Sequence, residues 1–127
     1  MLKILAVMIG GAAGSLSRYL LFLATQRVGD GTFPVGTLAA NLLGSFAIGL
    51  LWCLFEGSRL TNEGRLFIFT GFLGGFTTFS TFALETTQLF KAGEWRTAML
   101  YLAISNGVGL LLVFSGYSVA RRYLLAA

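Results

Sequence analysis

Apolar residues run along this chain in four long blocks separated by short polar links. The blocks cover residues 4–24, 36–55, 66–90 and 97–120. Each reaches or exceeds the about 20 residues that a helix needs to cross a hydrocarbon core. The links are residues 25–35, with the only proline (Pro34), then 56–65 and 91–96. Tyr19, Trp52, Trp95 and Tyr123 fall at or near block ends, where interfacial aromatic belts form. The pattern predicts an all-α integral membrane protein, with residues 1–127 forming one four-helix transmembrane unit. Residues 1–14 (Lys3, an apolar run, then Gly-Gly-Ala-Ala) have the look of a signal peptide. The apolar stretch continues to Ala24, however, and cleavage would leave three spans, so the segment is kept as a span.

The third block breaks the uniform apolar pattern. Gly71, Gly74 and Gly75 come within five residues, and the next seven carry Thr77, Thr78, Ser80 and Thr81 among Phe76, Phe79 and Phe82. The glycines give the backbone freedom to leave helical geometry. At membrane depth, irregular backbone survives only where protein covers it or where it lines a wet cavity. The third helix is therefore expected to be broken mid-membrane, at a site for an ion or small solute.

Composition narrows the function classes. The chain is 56% hydrophobic and 11% charged, with mean hydropathy +0.80, against about 25% charged in a soluble domain. The net charge of +4 is scattered singly or in pairs, which is no nucleic-acid signal. One cysteine, Cys53, and no histidine exclude an internal disulfide, zinc chemistry and a Ser-His-Asp triad, and no enzyme is expected.

With four spans, Lys3, Arg59, Arg65, Arg121 and Arg122 share one side, against Arg27, Lys91 and Arg96 on the other, with Arg18 if it reaches out. Such a weak bias lets a chain insert both ways. Two copies in opposite orientation then form an antiparallel homodimer, the single-chain equivalent of the inverted repeats of transporters. Gly10 and Gly14 on the first helix, and Ser45 and Gly49 on the second, mark close-packing faces. Any single pair reads first as packing within one monomer.

Thr37, Asn41 and Ser45 follow at i, i+4 and i+8 on one face of the second helix. Asn41 serves either a helix-to-helix hydrogen bond or a pore. Phe79 and Phe82, at i and i+3, are either lipid-facing or core residues, or offer positive ring edges to an anion. With Asn41 and Ser80 they would make a donor-lined path with no fixed charge at its centre. Carbonyls freed near Gly74 and Thr77 suit a sodium-like ion, two from each chain of a dimer, unless Ser or Thr side chains satisfy them. Arg18 either snorkels or acts at the site. Glu85 is placed to meet Arg18, Tyr101 or Thr37, and Tyr101 and Ser105, with Asn106 beside them, form a polar line on the fourth helix.

Three runs, Gly10 to Tyr19, Gly36 to Gly44 and Gly71 to Phe82, resemble the signatures of the Fluc (CrcB) fluoride channels, and length and layout match along the whole chain. The resemblance implies a dual-topology antiparallel homodimer with two fluoride pores and a central structural sodium. By motif it implies that Asn41, Phe79 and Phe82 line the fluoride path, with Ser80 and Thr81 near it, and that Gly74 and Thr77 offer carbonyls to sodium. Arg18 matches the vestibule arginine, and Thr37, Glu85 and Tyr101 resemble the polar track beyond the phenylalanines; Gly109 stands where a further serine is sought. It implies a multi-pass protein of the cell inner (plasma) membrane that lets fluoride out passively and so lowers its toxicity. Two rivals come from other classes. A proton-coupled multidrug exporter needs a mid-membrane carboxylate, for which Glu85 is the candidate, and a non-transporting subunit does not need four hydroxyls at a break.

Overall fold

The computed structural model of the chain describes residues 1–28, 31–57 and 60–124. Arg59, counted in the charge balance above, lies outside the described residues. All regular elements among them are helical. Helix α1 is Leu2–Thr25, α2 is Val35–Phe55, α3 runs over residues 62–76, α4 is Phe79–Lys91 and α5 runs over residues 95–124. Helices α3 and α4 together make one span, Asn62–Lys91, so among the described residues four helices are long and apolar enough to cross a membrane.

Local chemistry sets the ends. Pro34, with its fixed φ (−79°), precedes α2. At the start of α3 the Thr61 hydroxyl accepts from Gly64 N–H at 3.1 Å. Helix α4 stops where Gly93 takes φ +80°, with Gly93 N–H donating to Phe90 O at 3.1 Å and Glu94 N–H to Leu89 O at 2.9 Å. That pair of bonds satisfies carbonyls left open by the last turn. Helix α3 widens to i→i+5 bonding over Leu66–Leu73, and α5 does so over Ile104–Val108. Such turns often occur at functional sites.

Glycines bring backbones together in two pairs of helices. A Cβ at Gly10 would strike Phe67 O, one at Gly14 would strike Phe72 O, and one at Gly75 would lie 2.6 Å from Gly11 O, so α1 lies directly on α3. A Cβ at Gly49 would strike Val113 O and one at Gly116 would strike Phe46 O, which presses α2 onto α5. These small-residue faces pack within one chain. The finding also corrects the expectation for the third block. Gly74 and Gly75 stay helical (Gly74 φ −63°, ψ −37°). At Gly71 and Gly75 the lack of a side chain serves the approach of α1 rather than a departure from the helix, while Gly74 is exposed and a Cβ there would meet nothing of α1. The departure comes next, at Thr77 (φ −89°, ψ 157°) and Thr78 (φ −150°, ψ 115°).

Only 11 to 22% of each span's apolar window is buried within the chain, so most of its apolar surface faces outward. The compact cluster is Phe82, Leu89, Ala98 and Tyr101, with Phe33, Leu38, Phe90 and Leu102 against it. It lies between α4 and α5, directly beside the interrupted helix.

Candidate functional site

Two consecutive extended residues inside an apolar span leave peptide groups without helical partners, and the surrounding side chains answer several of them. Asn41 on α2 faces Thr78 edge to edge. Its Oδ1 accepts from Thr78 N–H at 2.8 Å, and its Nδ2 donates to Thr78 O at 3.0 Å. Thr78 also starts α4: its Oγ1 accepts from Thr81 N–H at 3.3 Å and donates to Thr81 Oγ1 at 3.0 Å. Ser80 Oγ, on an exposed residue, lies 3.4 Å from the same hydroxyl. A hydroxyl one residue before a helix is a recognisable cap signal, and Thr78 was legible as one.

The bonds of Thr78 release two carbonyls. In a continuous helix Thr78 N–H would serve Gly74 O and Thr81 N–H would serve Thr77 O. Here the first goes to Asn41 and the second to the Thr78 hydroxyl. The Thr77 hydroxyl adds no help, since it joins its own N–H on Leu73 O (2.9 and 3.0 Å). Gly74 and Thr77 line one open cleft of about 350 Å³ with Asn41, Ser45, Thr78 and Phe79. Neutral carbonyl oxygens without helical donors are the donor type a hard cation takes. The residues present therefore fit a sodium ion, although two carbonyls are too few to complete a shell. Among the described residues no cluster of carboxylates or thiolates offers an alternative metal site.

A third carbonyl, that of Gly75, accepts from Arg18 Nε at 3.1 Å. Arg18 thus turns inward from α1, which leaves the first-link side with three basic residues and puts a fixed charge beside the break. Helix α1 lies against Gly75, and that closeness carries the guanidinium to its carbonyl. A second cleft, about 250 Å³, is lined by Arg18 with Ser15, Thr37, Thr78, Thr81 and Glu85.

Glu85 on α4 accepts two short hydroxyl bonds, 2.7 Å from Thr37 Oγ1 and 2.7 Å from Tyr101 Oη. Of the three partners the sequence offered it, these two are the ones it takes. Tyr101 is fully buried, and its ring meets Phe82 edge-on, centroids 5.1 Å apart at 63°. Phe82 in turn lies 5.7 Å from Phe79, tilted by 52°. The two phenylalanines differ in setting: Phe82 is 7% exposed and Phe79 77% exposed, so one is held by the core and the other projects from the chain. Ser105, one turn beyond Tyr101, has a buried Oγ without a hydrogen-bond partner, and it does not join the Glu85 pair. Asn106 faces outward and donates to Leu102 O in its own helix at 2.8 Å.

The model of the family described as CrcB-like protein, Camphor Resistance (CrcB), matches residues 5–117. The chain belongs to the CrcB family. Its similarity to curated CrcB relatives extends nearly end to end. It is 48% identical over 122 residues to the fluoride-specific ion channel FluC of Desulfotalea psychrophila, covering 96% of this chain and 94% of that protein. Against the proteins of the same name from Parabacteroides distasonis and Nitrosococcus oceani, identity is 42% in each case. The matches cover 95 and 94% of this chain and 94 and 96% of those proteins. The resemblance read from the three glycine-rich runs is thereby shown. Kinship to channels, with four membrane-length apolar helices, makes this CrcB member a multi-pass membrane protein.

Proposed function

We propose that the protein is a fluoride channel giving passive efflux of the anion from the cytoplasm across the cell inner (plasma) membrane. The observation that carries the reading is the interruption at Thr77–Thr78, halfway along the span Asn62–Lys91, in a chain whose relatives are named fluoride-specific channels. Around that interruption stand the Asn41 amide, the hydroxyls of Ser80 and Thr81, and the ring edges of Phe79 and Phe82. Neutral donors and positive ring edges replace water around a small anion without holding it tightly, so it enters and leaves. Beyond the rings, Thr37, Glu85 and Tyr101 continue the polar line, with Ser105 one turn further along α5, while Arg18 raises the local anion concentration at the mouth.

The functional unit in this reading is an antiparallel homodimer with two pores. The outward position of Phe79 and the open cleft beside Gly74 and Thr77 support it, because both need a second surface to be enclosed. Two carbonyls from each chain would hold a structural sodium, which supplies a fixed positive charge that ties the two breaks together.

The test is ion efflux from liposomes containing the pure protein. Fluoride leaves rapidly down its gradient while chloride stays, and equal passage of the two would overturn the selectivity.

A further inference from the structure

Phe33 lies in the first link, outside every helix, yet its ring packs on the core beside the site. Tyr101 is held at three points. Its hydroxyl donates to Glu85 Oε2, one ring edge meets Phe82, and the other aromatic contact is Phe33, at 5.6 Å between centroids and 76° between planes. Phe79, Phe82, Tyr101 and Phe33 thus form one unbroken row of rings, with successive centroids 5.7, 5.1 and 5.6 Å apart. The row starts at the interrupted helix and ends in the link.

Three of those rings stand on helices, and Phe33 does not. Its placement depends on a tight turn, in which Val35 N–H donates to Phe33 O at 2.8 Å across Pro34. Open space adjoins it. Phe33 lines a cleft of about 480 Å³ that also reaches Glu85 and Gln88, and another of about 370 Å³ beside Arg96 and Thr97. A ring flanked by two cavities has somewhere to go, whereas Phe82 has not.

We infer that Phe33 is a positioning residue: it closes the outer end of the ring row, and by its edge contact keeps Tyr101 in the orientation that bonds Glu85. An edge-to-face pair shifts such an equilibrium by a factor of about 2 to 10. Replacing the ring by an aliphatic side chain frees Tyr101 to turn, and Glu85 then loses one of its two hydroxyl partners. The consequence for ion flux rests on the channel reading above; the orientation of Tyr101 does not.

The experiment separates the two. The protein is labelled with 3-fluorotyrosine at its four tyrosines, and the Tyr101 signal is assigned by its absence in Tyr101→Phe. In Phe33→Leu the fluorine-19 signal of Tyr101 shifts or broadens, and in Phe33→Trp, which keeps an aromatic ring and adds no labelled tyrosine, it returns towards the parent position. An unchanged Tyr101 signal in Phe33→Leu overturns the inference, as does equal disturbance by both variants. In liposomes Phe33→Leu lowers fluoride efflux by about 2- to 10-fold, and that loss vanishes in a Tyr101→Phe background, where nothing remains to be positioned. Losses that multiply independently overturn action through Tyr101. A parent protein that passes no fluoride overturns the proposed function, and the fluorine-19 result still decides the role of Phe33.

Discussion

Replacing Asn41 by leucine removes both bonds that hold Thr78 in its extended conformation. The substituted side chain is similar in size, so the change isolates the amide. Two peptide groups, the N–H and C=O of Thr78, lose partners at 2.8 and 3.0 Å. A buried polar group left unsatisfied costs about 1–3 kcal/mol. Side-chain hydrogen bonds inside membranes are worth about 0.6–2 kcal/mol. The two scales together place the loss at about 2–4 kcal/mol. One route lowers that figure: Thr78 N–H can return to Gly74 O if the helix closes over the gap, which restores a backbone bond and removes the site. Asn41→Leu therefore yields a protein either destabilised by the full amount or stable with a healed helix, and in both cases without fluoride flux. Unfolding in mixed micelles, read with efflux on the same preparation, measures both quantities. Asn41→Asp sharpens the test, since it keeps the acceptor for Thr78 N–H but sets a second acceptor against Thr78 O. Flux at the parent rate from Asn41→Leu, with stability unchanged within about 0.5 kcal/mol, would refute the argument that this amide maintains the break.

Gly14→Ala sets a methyl group against the Phe72 carbonyl and 2.9 Å from Phe76 N, so it should cost about 1–3 kcal/mol in micelle unfolding. Gly107→Ala, which meets nothing within 4 Å, should leave stability unchanged or slightly raised. Phe82→Leu and Phe79→Leu should both slow efflux, but only the first, at a 7% exposed position, should lower the unfolding free energy of the separate chain by about 1 kcal/mol or more. Glu85→Gln keeps an acceptor for Thr37 or Tyr101 and should preserve measurable flux in the efflux assay, whereas complete loss would favour a carboxylate-driven exporter.

The interrupted helix shows where a linear reading succeeds and where it stops. Four apolar blocks, each long enough for a bilayer, are a property of composition and spacing, and helices form over them at Leu2–Thr25, Val35–Phe55, Asn62–Lys91 and Trp95–Tyr123. Within α2 the regular spacing already put Thr37, Asn41 and Ser45 on one face. In the third block the cluster of glycines and hydroxyls marked the right dozen residues but not the right two. Glycine permits both a kink and a close approach, and which one occurs depends on the backbone of α1, at a distance of some 60 residues along the chain. Arg18 on Gly75 O, Asn41 on Thr78, Thr37 and Tyr101 on Glu85, and Phe33 on Tyr101 are likewise contacts between distant segments. Periodicity and hydropathy are local and determine what each segment becomes. Which carbonyl stays open and which hydroxyl answers which carboxylate depend on how the finished helices pack, and only the tertiary structure decides that.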